Sequence, residues 1–183
     1  AVRRSGLERD ELLVTSKIPG RHHGYDDALA SIQGSLDALG LETIELQLIH
    51  WPNPSVGKWV DTWRGMIEAR EQGLVRSIGV SNFTEEMLTR LIDETGVTPA
   101  VNQVELHPYF PQAQLRAFHT EHAIRTESWS PLARRSELLS EGLIIDLDHA
   151  KIPNMKHVDP EYLKMHAMDK AMKYSVPYMM GNT

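Results

Sequence analysis

Cysteine is missing from all 183 residues of the chain. Disulfide bonds and thiolate metal sites are therefore excluded, and a cytoplasmic location is the simpler expectation. The chain also lacks a run of 18 apolar residues and a signal-peptide pattern, so neither membrane insertion nor secretion is expected. The histidines near its end show no metal-ligand spacing, and no metal site is predicted.

Acidic residues outnumber basic ones. The formal net charge is -6, and the Lys and Arg residues form no basic stripe along the sequence. Without such a stripe there is little to neutralise phosphate groups, so nucleic acid is not an expected partner. The rest of the composition is ordinary for a globular protein with one sizeable core.

Five short strand-like segments alternate with amphipathic helical segments. The strands are centred near residues 14, 47, 77, 102 and 126. Gly40 should end the first helix, and Thr84 should begin the helix after the third strand. Because repeated β-α units with short connections favour parallel strands with right-handed crossovers, the predicted fold class is α/β.

Polar or aromatic residues follow each predicted strand. They are Lys17, His50 with Trp51, Ser81 with Asn82, Gln103 with His107, and Ser128 with Trp129 and Ser130. In a parallel barrel all these positions open onto one face, where active sites lie. Each also has a plain structural interpretation: His50 could cap a strand, and Lys17 could be a surface lysine. The repetition favours a functional face.

The composition changes near residue 140. Residues 1–140 contain twelve Arg and two Lys, whereas residues 141–183 contain five Lys and no Arg. Six of the eight Met residues lie in the second segment. We therefore expect a first domain at 1–140 and a divergent tail at 141–183, in which a helix beginning near Asp159 carries a Met-rich apolar face.

Several runs resemble the aldo-keto reductases, especially the bacterial members near the 2,5-diketo-gluconate reductases. The most specific are Gly79-Val80-Ser81-Asn82-Phe83 and Asn102-Gln103-Val104-Glu105-Leu106-His107-Pro108; the others are Leu13–Lys17, Asp37–Leu41, Leu48-Ile49-His50-Trp51-Pro52 and Trp129-Ser130-Pro131-Leu132. These runs occur in the order typical of the family and cover about residues 1–138.

The resemblance implies a partial TIM (β/α)8 barrel, in which the five strands are the third to seventh of eight. It implies that NADPH lies across the carboxyl-terminal face of the barrel and passes a hydride to a small aldehyde or ketone. Lys17 matches the catalytic lysine, which lowers the pKa of a neighbouring tyrosine. His50 matches the histidine that orients and polarises the substrate carbonyl.

The resemblance also implies cofactor and substrate contacts. Ser81, Asn82 and Gln103 match the residues that hold the nicotinamide carboxamide. Trp129 matches the aromatic residue that stacks on the nicotinamide, and Ser130 and Leu132 match contacts of the pyrophosphate loop. Trp51 would line the substrate pocket.

The chain departs from the family pattern in three respects. The tyrosine that acts as general acid, with an aspartate five residues before it, should precede the lysine strand. This sequence has no tyrosine before Lys17, so it contains no such pair there. Tyr25 follows Lys17 and does not match that tyrosine. The run that grips the adenosine 2′-phosphate is absent too. Glu45 replaces an aspartate of the His50 strand, so we expect Lys17 to have a longer carboxylate partner.

These departures leave three hypotheses open. In the first, the chain is a fragment of a reductase whose complete form is active, and its own activity is impaired by the missing tyrosine and aspartate. In the second, it is a truncated, non-catalytic protein or interaction module stabilised by its tail. In the third, it works only when another subunit supplies the missing strands. A five-stranded arc has two open edges, which also predicts self-association.

Overall fold

The computed structural model describes residues 6–131 of the chain. In this part, strands and helices alternate in the order β1 (Thr15–Ile18), α1 (Tyr25–Leu39), β2 (Ile44–Ile49), α2 (Trp59–Glu71), β3 (Val75–Ser81), α3 (Glu85–Thr95), β4 (Val101–Glu105), α4 (Ala113–Glu121) and β5 (Arg125–Trp129). Short 3-10 turns lie at Arg9–Glu11, before β1, and at Gly20–His22, after it.

The five strands form one sheet in the order β1-β2-β3-β4-β5. The pairs β1–β2, β2–β3 and β3–β4 are parallel, and their register places Lys17 beside Leu48 and Ser81 beside Gln103. A helix therefore carries the chain back after each of the first four strands. The α/β prediction is confirmed, and the open arc of strands is the arrangement of a partial TIM barrel.

Apolar faces of the helices pack on this sheet. Ala28, Ile32 and Leu36 recur every four residues along α1 and are buried, so one face of that helix points to the core. On α2, Trp63 and Met66 are fully buried in the same cluster. The strands contribute residues such as Ile18, Ile49 and Val80 to the same buried cluster.

Two predicted helix boundaries are confirmed. The Thr84 side chain accepts a hydrogen bond from the Met87 N–H at the start of α3. Gly40 follows α1 in the left-handed conformation, with φ 65°, which glycine adopts without steric cost. Because α3 begins so soon after β3, Asn82 is held in a short connection at the carboxyl end of the sheet.

The residues divide into two compact units. Within the described part, the first comprises residues 6–104 and 113–127, and the second comprises residues 105–112 and 128–131. The expected boundary near residue 140 and the expected Met-rich helix lie outside the described residues. Among residues 6–131, no helix has the length and apolar character needed to cross a membrane.

Candidate active site

Lys17, near the end of β1, is connected to β4 and β5 through side chains. Its Nζ donates a hydrogen bond to Gln103 Oε1. Gln103 Nε2 in turn donates to Glu127 Oε1 at 2.6 Å. Since a carboxylate only accepts hydrogen bonds, Glu127 fixes the amide so that its oxygen faces the lysine. Burial lowers the pKa of Lys17, and the negative charge of Glu127 offsets part of that effect.

His50 is the first residue after β2 and is half-buried. Its backbone N–H donates to the carbonyl of Ile18 at 3.1 Å, which fixes it next to the end of β1. Burial lowers the pKa of His50, and the positive charge of Lys17 lowers it further. His50 is therefore neutral at pH 7 and able to donate a hydrogen bond from one ring nitrogen.

Ser81 and Asn82 lie where β3 meets β4. The Ser81 Oγ donates to the carbonyl of Gln103 at 2.8 Å, and the Asn82 N–H donates to the same carbonyl at 3.0 Å. Asn82 has a left-handed backbone, with φ 64°, and its Nδ2 donates to the carbonyl of His50 at 3.2 Å. These bonds bring Ser81, Asn82, Gln103 and His50 together at the carboxyl ends of β2, β3 and β4.

Four further residues were expected in the site: Trp51, Trp129, Ser130 and Leu132. Trp51 is 38% exposed, and its ring centroid is 6.4 Å from that of His50. Trp129 and Ser130 are in the second unit, where the Leu106 N–H donates to the carbonyl of Trp129 at 3.3 Å. Leu132 lies outside the described residues.

The expected pairing of Glu45 with Lys17 is wrong. The Glu45 carboxylate accepts hydrogen bonds from Arg9 Nη2 at 2.8 Å and from the Val14 N–H at 2.9 Å. Burial alone would raise the pKa of Glu45, but these bonds and the charge of Arg9 lower it on balance. Lys17 is opposite Leu48, three residues beyond Glu45 and about 10 Å farther along the strand.

Glu127, the carboxylate that does act on Lys17, was missed by the sequence analysis. It precedes Trp129 by two residues on β5, so strand alternation places both side chains on one face. That alternation was a usable signal. The contact with Gln103, however, depends on how β5 lies beside β4, which the residue pattern does not specify.

Tyr25 is the first tyrosine after Lys17, and it could be asked whether it replaces the missing general acid. It begins α1 and is 41% exposed. Partial desolvation and the neighbouring carboxylates, Glu68 foremost, raise the pKa of Tyr25. A general acid working at neutral pH needs the opposite shift, so Tyr25 is unsuited to that role. Residues 6–131 also contain no group of three His, Asp or Glu side chains that could hold a metal ion.

Comparison with known proteins identifies sequence relatives. The model of the aldo/keto reductase family matches residues 1–159. A 2,5-diketo-D-gluconic acid reductase B from Corynebacterium sp. is 78% identical over 147 residues, which are 80% of this chain and 53% of that protein. The chain spans about half the length of the curated relatives it matches.

Solved structures share the fold as well. An aldo/keto reductase from Brucella melitensis is 45% identical with a TM-score of 0.72, over 82% of this chain and 58% of that one. A mutant of Gox0644 in complex with NADPH is 44% identical with a TM-score of 0.73, over 79% of this chain and 54% of that one.

Proposed function

Because the chain belongs to the aldo/keto reductase family, we propose that it serves NADPH-dependent reduction of a small aldehyde or ketone to an alcohol. The observation that carries this proposal is the cluster of Lys17 on β1, His50 directly after β2 and Gln103 on β4. The carboxyl-terminal edge of the strands is where the family fold places its chemistry.

The residues at this edge fit the carboxamide of a nicotinamide. An amide side chain has two N–H donors and two lone pairs, and Gln103 uses one of each toward Glu127 and Lys17. One donor and one lone pair of the side chain remain for a ligand amide, and Ser81 and Asn82 are held at the backbone carbonyl of the same residue. NADPH, which the Gox0644 mutant holds, would supply the hydride when bound here. Trp129, Ser130 and Leu132 are proposed to contact its ring and pyrophosphate.

His50 and Lys17 have distinct proposed roles. The neutral His50 ring donates a hydrogen bond to the substrate carbonyl oxygen, which polarises the carbonyl and fixes its orientation. The Lys17 ammonium, held by Gln103, supplies positive charge where the alkoxide develops. Trp51 lines the substrate pocket beside His50.

Proton delivery is the weak step in this chain. The family tyrosine is absent from the sequence before Lys17, and Tyr25 has a raised pKa. Loss of a general acid costs about two to four powers of ten in rate. We therefore propose that this chain, by itself, binds NADPH and reduces carbonyl compounds slowly.

The test is NADPH oxidation by the purified chain, followed at 340 nm with 2,5-diketo-D-gluconate, together with NADPH binding followed by its fluorescence. Lys17→Met should lower the residual rate by about 10²-fold, because it removes the positive charge at the reacting oxygen. Lys58→Met, at the exposed start of α2, is the matched control and should leave the rate unchanged.

Each alternative has its own signature in this assay. Equal rates in the wild type and Lys17→Met, or no NADPH binding, would contradict the proposal and favour a non-catalytic protein. A rate that appears only after a second polypeptide is added would instead favour the hypothesis that another subunit supplies the missing strands.

A further inference from the structure

Asn102 holds the residue that follows Asn82. Its Oδ1 accepts a hydrogen bond from the Phe83 N–H at 3.4 Å, and its Nδ2 donates to the Phe83 carbonyl at 2.9 Å. Asn102 is completely buried, so neither bond competes with water. One side chain on β4 thus satisfies both backbone groups of Phe83, in the connection between β3 and α3.

His119, on α4, fixes the orientation of the Asn102 amide. Its Nε2 lies 3.0 Å from Asn102 Nδ2, and its Nδ1 lies 2.8 Å from Thr126 Oγ1. Because Asn102 Nδ2 can only donate, His119 Nε2 must accept, and the ring proton resides on Nδ1 and points to Thr126. Burial lowers the pKa of His119, which supports this neutral form, although Glu85 opposes the shift in part.

This support acts next to a residue with a left-handed backbone. Asn82 adopts a left-handed conformation that non-glycine residues adopt at an energetic cost. Its neighbour Phe83 is anchored by Asn102, while Gln103, the next residue on β4, anchors Ser81 and the Asn82 N–H through its carbonyl. Residues 81–83 form the turn centred on Asn82, called here the Asn82 turn. Two adjacent residues of β4 therefore hold this turn from both sides.

We propose that Asn102 and His119 are positioning residues that hold the Asn82 turn in the geometry that receives the nicotinamide carboxamide. The pair contacts neither substrate nor cofactor and acts through Phe83. The part that concerns the carboxamide rests on the proposed function, whereas the positioning of the turn rests on the hydrogen bonds alone.

Two measurements test the pair separately. Amide hydrogen exchange by NMR reports the opening of the turn without cofactor, and NADPH fluorescence reports binding. Asn102→Ala should speed exchange of the Asn82 N–H and weaken NADPH binding, each by about tenfold, the loss expected for one or two buried hydrogen bonds. His119→Ala should act in the same direction with a smaller effect, since Asn102 keeps its bonds to Phe83.

Thr62→Ala is the matched control. Thr62 is fully buried on α2 and binds the Gly24 N–H at 2.9 Å, so its loss destabilises the fold at a position outside the site. This control should leave exchange at Asn82 and NADPH binding unchanged. If Asn102→Ala changed Asn82 exchange no more than Thr62→Ala does, the positioning role would be overturned.

The outcomes also separate the two proposals. Absence of NADPH binding in the wild type would contradict the proposed function, while hydrogen exchange would still decide whether Asn102 positions the turn. Faster exchange in Asn102→Ala with unchanged NADPH affinity would overturn the link to the carboxamide.

Discussion

Lys17 shows how single neighbours set the charge of a site. Burial lowers its pKa and Glu127 counteracts the shift. Glu127→Gln keeps the side-chain shape but removes the negative charge, so the pKa of Lys17 should fall further. NMR titration of the Lys17 side chain in both proteins measures this.

A control for Glu127→Gln is Glu121→Gln, at the exposed end of α4. It removes the same charge from the chain and should leave the Lys17 titration in place. An equal shift in both variants would mean that Lys17 responds to net charge rather than to its neighbour.

Residue positions at strand ends were predictable, but the pairing between side chains was only partly so. Lys17, His50, Ser81 and Gln103 follow from the strand pattern and the family motifs, since parallel strands end on one edge. The error at Glu45 was avoidable, because it lies near the start of β2 while Lys17 lies near the end of β1. The role of Asn102 was not visible, because its partners Phe83 and His119 come from different elements.

Two glycines on neighbouring helices have opposite structural roles. At Gly65 of α2, an added Cβ would lie 2.5 Å from the carbonyl of Tyr25 and 3.2 Å from the Cβ of Ala28, both on α1. Gly65→Ala should therefore destabilise the fold by about 1–3 kcal/mol, because α1 and α2 must move apart. This outweighs the gain in helix propensity of up to about 1 kcal/mol.

Gly34 of α1 provides the matched comparison. Nothing lies within 4 Å of an added Cβ there, so Gly34→Ala should stabilise the fold by about 0.5–1 kcal/mol. Urea unfolding of both variants measures the free energies of unfolding. Effects of the same sign would show that propensity, not the contact between α1 and α2, determines the role of Gly65.

Elements were more predictable than their exact starts. The first strand, which was expected near residue 14, begins only at Thr15. Leu13 is 85% exposed, so the apolar residues just before β1 do not all belong to the core. Pattern reasoning fails at such positions because it assumes that every apolar residue of a run contacts the core.

The stability of the whole described fold should fall with decreasing pH in two steps that begin at different pH values. Burial lowers the pKa of His23, His50 and His119 below the unfolded value of about 6.5. Below that pH the unfolded state binds protons that the folded state does not, so the free energy of unfolding falls as the pH drops from 7.5 to 5.5. The lowered pKa of Glu45 adds a further loss that begins only near pH 4.5.

Two variants test which residues cause each loss, with the free energy of unfolding measured in urea between pH 7.5 and 3.5. His23 is 3% exposed, and neither ring nitrogen has a hydrogen-bond partner among residues 6–131. His23→Leu should therefore reduce the loss between pH 7.5 and 5.5 without lowering stability at pH 7.5, because it removes a buried polar group that gains nothing from folding. Glu45→Gln should leave that range intact and reduce the loss below pH 4.5. If His23→Leu kept the full slope of the wild type, the pH dependence would have to come from groups other than this buried imidazole.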